Sequence, residues 1–253
     1  MRIFIFTFTL FAAVVVSGQE KKIRDKGDKM VNFQFHYTYM RPDGDLGKRF
    51  GDFHNIGFGG MFKTSNQWLF SLDASYQYGL EVKENEILVN IVNNSGVVMN
   101  NGGIPADYSV GQRGFNAYGK VGRLFPLSKA NLNSGIMVLM GGGIYYHKIN
   151  FSASRNDIPM LSQNYQKGYD RLSMGPALTQ FVGYSYQSNN RYYNFYIGVD
   201  FMQAFTQSVR KYNYDTRMPD TQERFDMTYG LRLGWMIPIY LNAKNANSEY
   251  EFR

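Results

Sequence analysis

Three histidines, His36, His54 and His147, are the side chains of this 253-residue chain best suited to acid–base work or metal binding. His147 precedes Ser152, Ser154 and Asp157, which together are the residue types of an acid–base–nucleophile set, although no spacing motif accompanies them. His36 and His54 fall on consecutive strand-like segments, near enough to share a metal. With no third ligand evident, satisfied polar side chains are the expectation. The chain has no cysteine, which excludes a disulfide scaffold, a zinc–thiolate site, a thiol nucleophile and an acylated lipoprotein anchor. No phosphate-cradling glycine loop, zinc spacing or calcium loop is present. Gly57, Gly59 and Gly60, and the run Gly141 to Gly143, belong to strands, where they relieve crowding or allow bending. The reading is therefore of no catalytic residue, no cofactor and no metal. The charged residues that do stand out are Asp73, Lys120, Asp200 and Arg232, each on the polar parity of an alternating segment.

The alternation is what positions them. Val31, Phe33, Phe35, Tyr37 and Tyr39 share one parity, with Asn32, Gln34, His36 and Thr38 on the other, and this period of two predicts a strand with two unlike faces. Trp68 to Glu81, Tyr192 to Phe201 and Arg224 to Ile239 repeat the pattern, and four weaker segments lie between them. The eight predicted strands are 31–41, 54–64, 67–81, 114–125, 135–151, 170–187, 191–208 and 223–241. The facing of 135–151 is unresolved because both parities are apolar, and a bulge in 170–187 would reset its register. Thr64 to Gln67 and Ser188 to Asn190 read as tight polar turns, and Pro126 to Ser134 as a slightly longer one. The links 82–113, 152–169 and 209–222 are long and rich in Asn, Asp, Gly and Ser. In an antiparallel meander, short turns then collect at one end and long loops at the other.

A soluble β-sandwich also alternates. Three features favour a sheet in lipid. The strands are long against a soluble norm of about 5–6 residues. The short and long connections segregate to opposite ends. The apolar parity is also strongly aromatic near strand ends, in a chain with 20 Phe, 20 Tyr and 2 Trp. Tyr37, Tyr39, Trp68, Phe70, Tyr76, Tyr78 and Trp235 are the predicted interfacial girdle. Lipid cannot satisfy backbone polar groups, so such a sheet must close on itself. The fold class is all-β, an eight-stranded antiparallel up-and-down transmembrane β-barrel with short periplasmic turns and long extracellular loops. About eight strands leave a lumen just wide enough to be filled by side chains. Counting heights from the short turns pairs Asp73 with Lys120 and Asp200 with Arg232 inside it. The ion pairs serve either as structural plugging or as a polar path for small solutes.

In this organisation the chain resembles the eight-stranded outer-membrane β-barrel proteins of Gram-negative bacteria, over residues 31–241. Asn133 to Val138, Gly168 to Leu172 and Gly230 to Trp235 are similar to segments of uncharacterised outer-membrane barrels of Bacteroidota. The resemblance implies location in the cell outer membrane. It does not define an activity. Many such barrels end on an aromatic residue of the last strand, whereas here a polar tail, 242–253, follows Leu241, with Phe252 penultimate. Residues 1–18, one arginine and then an apolar run ending in small residues, read as a cleaved signal peptide, and 19–30 as a flexible periplasmic lead. A buried strand or an uncleaved anchor is the alternative, but the apolar run is short for a helical span.

The net charge of +7 is dispersed among acidic residues apart from a basic cluster at Lys21 to Lys29, so nucleic acid is not an expected partner. Outer-membrane lipids are. Ile87, Leu88, Val89, Ile91, Val92, Val97 and Val98 make the loop 82–113 too apolar for simple solvation. It is either a hairpin standing above the membrane or, with the tail, a docking surface for other envelope proteins. The expectation is a non-enzymatic outer-membrane barrel, structural or an accessory subunit of an assembly or secretion complex. The alternatives are a narrow channel and a rim-active lipid hydrolase using His147.

Overall fold

The computed structural model describes residues 27–84, 86–93, 95–153, 158, 163–188 and 193–241. The predicted signal peptide, most of the lead and the tail 242–253 lie outside the described residues, as do Ser154 and Asp157. The elements run β1 (Met30–Asp43), α1 (Gly44–Arg49), β2 (Phe53–Lys63), β3 (Trp68–Gly79), β4 (Tyr108–Ser128), β5 (Asn131–Ala153), α2 (Gln163–Gln166), β6 (Ser173–Gln187), β7 (Asn194–Ser208) and β8 (Glu223–Tyr240). Each strand pairs antiparallel with the next, and β1 closes on β8 from Met30↔Tyr240 to Asp43↔Met227, so the sheet is a closed barrel.

Closure leaves side chains two destinations, and parity assigns them. On β1, even-numbered residues from Asn32 to Thr38 are buried in the lumen, while Phe33, Phe35, Tyr37 and Tyr39 face outward and are exposed. The same division holds around the ring. Leu72, Ile56, Phe58, Met140, Leu178, Val199 and Leu231 stand exposed on the outside, and Asp73, Lys120, Asp200 and Arg232 are buried within. A water-soluble barrel would reverse this. An outward apolar band, an even strand number, three compact turns at one end and four longer loops at the other define a transmembrane barrel of the outer-membrane type. The short turns 64–67, 129–130 and 188–193 are therefore periplasmic, and the loops 44–52, 80–107, 154–172 and 209–222 extracellular.

Several expectations are corrected. The turn placed at Pro126 to Ser134 is only Lys129 and Ala130, because Pro126 to Ser128 and Asn131 to Ser134 belong to β4 and β5. The break in register falls there, between Pro126 and Ser128, and the register along β6 is continuous. Proline lacks the N–H that the ladder needs, which places the irregularity at a strand end. β4 starts at Tyr108, so 108–113 are strand and not loop, paired with the top of β5 down from Tyr108↔Ala153. On β5, Met137, Leu139, Tyr145, His147 and Ile149 face the lumen and Met140 and Ile144 face out. The helix α1 was not anticipated in the first outer link.

Gly141 and Gly143 sit on the inward parity of β5, opposite Lys120 and Tyr118 of β4. A Cβ at Gly143 would lie 1.9 Å from the carbonyl oxygen of Ala117, and one at Gly141 would lie 2.0 Å from that of Gly119. The two glycines thus let the β4 and β5 backbones approach closely beside the bulky lumen residues. Gly143→Val is expected to cost about 1–3 kcal/mol or more through overpacking. Loss of the compact, heat-modifiable gel band after refolding into detergent measures it.

Candidate functional site

The lumen is the part of the molecule where polar chemistry is concentrated, and its centre is ionic. Lys120 on β4 reaches across to β3, its Nζ 3.1 Å from Asp73 Oδ2. Arg232 on β8 lies 2.6 Å from Asp200 Oδ2 on β7 and also 3.5 Å from Asp73 Oδ2 across the barrel. The four residues form one linked cluster in place of two separate pairs. Each pair is diagonal across a ladder, since Lys120 is opposite Ser71 and Arg232 opposite Gly198. Thr179 donates to Asp200 Oδ1 at 3.3 Å, and Ser71 to Asp73 Oδ1 at 3.4 Å. All four ions are buried, and a buried charge without a partner costs several kcal/mol.

Apolar layers lie above and below. Toward the periplasm, Met61, Leu69, Leu124, Met137, Phe181 and Met236 pack together. Toward the outside, Met40, Phe50, Phe53, Tyr145, Ile149 and Met202 belong to a second cluster. Between them a cavity of about 10 Å³, bounded by Asn55, Asn116, Tyr118 and Arg232 among others, has room for about one water.

The histidines are placed differently from their expected roles. His36 and His54 are on opposite faces of the wall, because His36 has inward parity on β1 and His54 outward parity on β2. They cannot share a metal. His36 Nε2 is 2.8 Å from Ser75 Oγ in the lumen, while His54 Nδ1 is 2.6 Å from the outward Tyr37 hydroxyl and its ring stacks on Tyr78 at 5.2 Å. His147 is not on the rim beside Ser152. It is fully buried in the lumen, with Nε2 3.1 Å from Asp226 Oδ2, and Asp226 also accepts from Thr206 at 2.6 Å. The hydroxyl is bonded to the acid and not to the imidazole, so this trio lacks the nucleophile–base contact of a hydrolytic set. The described residues contain no group of three or more His, Asp or Glu able to hold a metal ion.

The girdle residues all face outward. Trp68, Phe70, Tyr76, Trp235, Tyr37 and Tyr39 are exposed, and Tyr78 is half-buried against His54. Tyr39 donates its hydroxyl to Asp52, which Arg41 also contacts at 3.3 Å, so the outer rim ends in a polar belt. At the periplasmic mouth, the end of the predicted lead is tied down. Asn133 exchanges hydrogen bonds with Asp28 at 3.0 and 2.8 Å, and Lys63 donates to the Asp28 carbonyl at 3.1 Å.

The outer mouth is covered. Asp43 caps α1 by accepting from Gly44 N–H at 2.7 Å, and the helix turns Leu46 and the following Phe50 into the lumen. Phe50 rests edge-on against His147 at 5.7 Å. The apolar loop residues also turn inward. Ile87, Leu88 and Val98 are buried, with Ile91 and Val92 packed partly against them, while Val89, Met99 and Ile104 are exposed. The barrel mouth thus takes up much of the apolar surface of loop 82–113, and Val89, Met99 and Ile104 are what it leaves outside. Asn93 and Asn100 each accept two backbone N–H groups, from Ser95 and Val97 and from Gly102 and Ile104, folding the loop tip through Gly96 and Gly103 at φ +74 and +70.

A chain of ions then joins all four outer loops. Arg49 of the first loop meets Glu84 of the second at 2.5 Å. Glu84 meets Arg171 of the third at 2.8 Å, and Arg171 pairs with Asp215 of the fourth. Arg210 pairs back to Asp170, and Arg224 is 2.6 Å from Asp220. Apart from Arg224–Asp220, four residues apart, none of these loop contacts was legible from the pattern, because they join residues far apart in sequence.

No family model and no curated protein matches the chain. Among solved structures it is similar to Ail, the attachment invasion locus protein of Yersinia pestis, at 10% identity over 83% of this chain and 99% of that one, with a TM-score of 0.42. Neisserial surface protein A matches at 10% identity over 82% and 96%, with a TM-score of 0.42. The outer membrane protein OprG from Pseudomonas aeruginosa matches at 14% identity over 83% and 96%, with a TM-score of 0.39.

Arg232 holds two carboxylates, so Arg232→Leu is expected to cost about 3–5 kcal/mol, as measured by urea unfolding in lipid vesicles. Lys120→Met leaves Asp73 in contact with Arg232 and should cost less. The outer cap has a pH test. Asp45 is held below the ordinary carboxylate range, first by its bond from Lys48 and then by the Phe225 backbone N–H, at 2.8 and 2.9 Å. A depressed carboxyl stabilises above its unfolded value of about 4 and loses that contribution as pH falls through the lowered one. Amide exchange at Phe225 should therefore quicken below about pH 4, and Asp45→Asn should show the faster exchange already at neutral pH.

Proposed function

We propose that this protein is a sealed, non-enzymatic outer-membrane barrel that holds a fixed extracellular cap, acting as a structural or accessory subunit of an envelope assembly. The observation that carries this reading is the filled lumen. The linked ions at its centre lie between two apolar layers, and α1 with loop 80–107 covers the outer mouth. A solute path would need continuous water, and the cavity between the two apolar layers has room for about one. The buried position of the His36–Ser75 and His147–Asp226 contacts supports a non-catalytic role, since a lipid substrate has no route to either. The side offered to partners is the loop assembly above the membrane, which ion pairs hold in one arrangement.

Refolded protein in planar bilayers is expected to give no reproducible conductance steps. Regular steps would replace this reading with the narrow channel. For the accessory role, affinity purification in mild detergent should recover a second envelope protein in fixed proportion, and its absence in repeated preparations reduces the role to that of a stand-alone structural barrel.

A further inference from the structure

The outward surface of the barrel carries a polar pair where hydrocarbon is the solvent. Gln180 has outward parity on β6, between the exposed Leu178 and Val182. Gln203 has outward parity on β7, between the exposed Phe201 and Phe205. Gln180 Nε2 donates to Gln203 Oε1 at 3.0 Å. That bond uses one half of each amide. The Gln180 carbonyl oxygen and the Gln203 amide nitrogen have no partner among the described residues, and lipid chains supply none. Other carboxamide or charged side chains with outward parity, such as Arg41, Arg123 and Gln207, lie near strand ends, within reach of a membrane–water interface. Gln180 sits at the middle of β6, and Gln203, bonded to it, is held between outward Phe201 and Phe205.

We propose that this amide pair is the centre of a lateral interface within the membrane, and that its occupant is a second copy of this chain. Polar side chains at membrane depth are retained where another protein surface satisfies them. The pair offers an unused carbonyl oxygen on Gln180 and an unused amide NH2 on Gln203. Rotated about a two-fold axis, an identical pair presents its donor to that acceptor and its acceptor to that donor, so the surface is complementary to itself. The wall beside it is low. Gly142 of β5 lies opposite Leu178 in the ladder, and a Cβ built on it would touch the Leu178 side chain at 3.6 Å. The missing side chain allows a second barrel to approach closely. This interface depends on the barrel sitting in lipid and is independent of whether the lumen conducts.

The cysteine-free sequence allows single thiols to report the contact. Leu178→Cys, treated with a short thiol-specific cross-linker in outer-membrane vesicles, is expected to yield a homodimer, and Phe58→Cys on the opposite side of the barrel is expected to remain monomeric. Adding Gln180→Leu and Gln203→Leu to Leu178→Cys should lower the dimer yield about tenfold while the heat-modifiable band of the closed barrel persists. If that variant fails to close, the comparison of Leu178→Cys with Phe58→Cys decides alone. A monomeric Leu178→Cys overturns the proposal. So does cross-linking only to a different protein, equal dimer from Phe58→Cys, or a dimer undiminished by the two leucines.

Discussion

Hydrocarbon offers no hydrogen bonds, and every other feature of this molecule answers that constraint. A sheet in lipid must pair all its strands, which requires β8 to return to β1 along its whole length. Once eight strands close, the inward side chains have nowhere to go but a narrow lumen, and the outward ones must be apolar. The lumen then has to solve the reverse problem of a soluble core. It contains charges that cannot reach bulk water, so each must find an opposite charge at close range. Asp73, Lys120, Asp200 and Arg232 do so as one connected group, with Arg232 touching both carboxylates.

Strand number, facing and lumen chemistry were legible in the chain because a period of two is written in consecutive residues. The segment Val31 to Tyr39 separates its two faces without ambiguity. Counting along strands from tight turns also put Lys120 near Asp73 and Arg232 near Asp200, since ladder geometry converts sequence position into height. What could not be read was anything that depends on a chain crossing over itself. Residues 135–151 are apolar on both parities, and only the pairing with β4 and β6 shows which side is inside. Arg49, Glu84, Arg171 and Asp215 are more than 160 residues apart from first to last, and no local spacing connects them. His147 was misread for a related reason. Its strand runs past the expected end to Ala153, which lowers the histidine from the rim into the lumen.

The apolar loop 80–107 shows how the same residues admit opposite readings. Valines, isoleucines and a leucine in a long outer link predict either exposed surface or packing, and composition cannot choose. The deciding partner is the open end of the barrel, a ring of inward apolar residues such as Phe53, Ile149 and Phe151 that would otherwise face water. Burying one set against the other removes both from solvent, in keeping with the roughly area-proportional gain from apolar contact. The surface left outside is largely polar, ionic and tyrosine-bearing, with Tyr165, Tyr212 and Tyr214 exposed on the last two loops beside single aliphatic side chains such as Ile104 and Met218.

Arg232 lies on the final strand, whereas Asp73 is on the third and Asp200 on the seventh. During assembly the carboxylates therefore precede their shared cation along the polypeptide. Until β8 seats, Asp73 already has Lys120 of β4, whereas Asp200 lacks its cation and favours hydration over entry into an oily interior. Arrival of the last segment supplies the guanidinium and the missing ladder in one event. Strand order and charge placement together thus tie completion of the ionic cluster to completion of the ring.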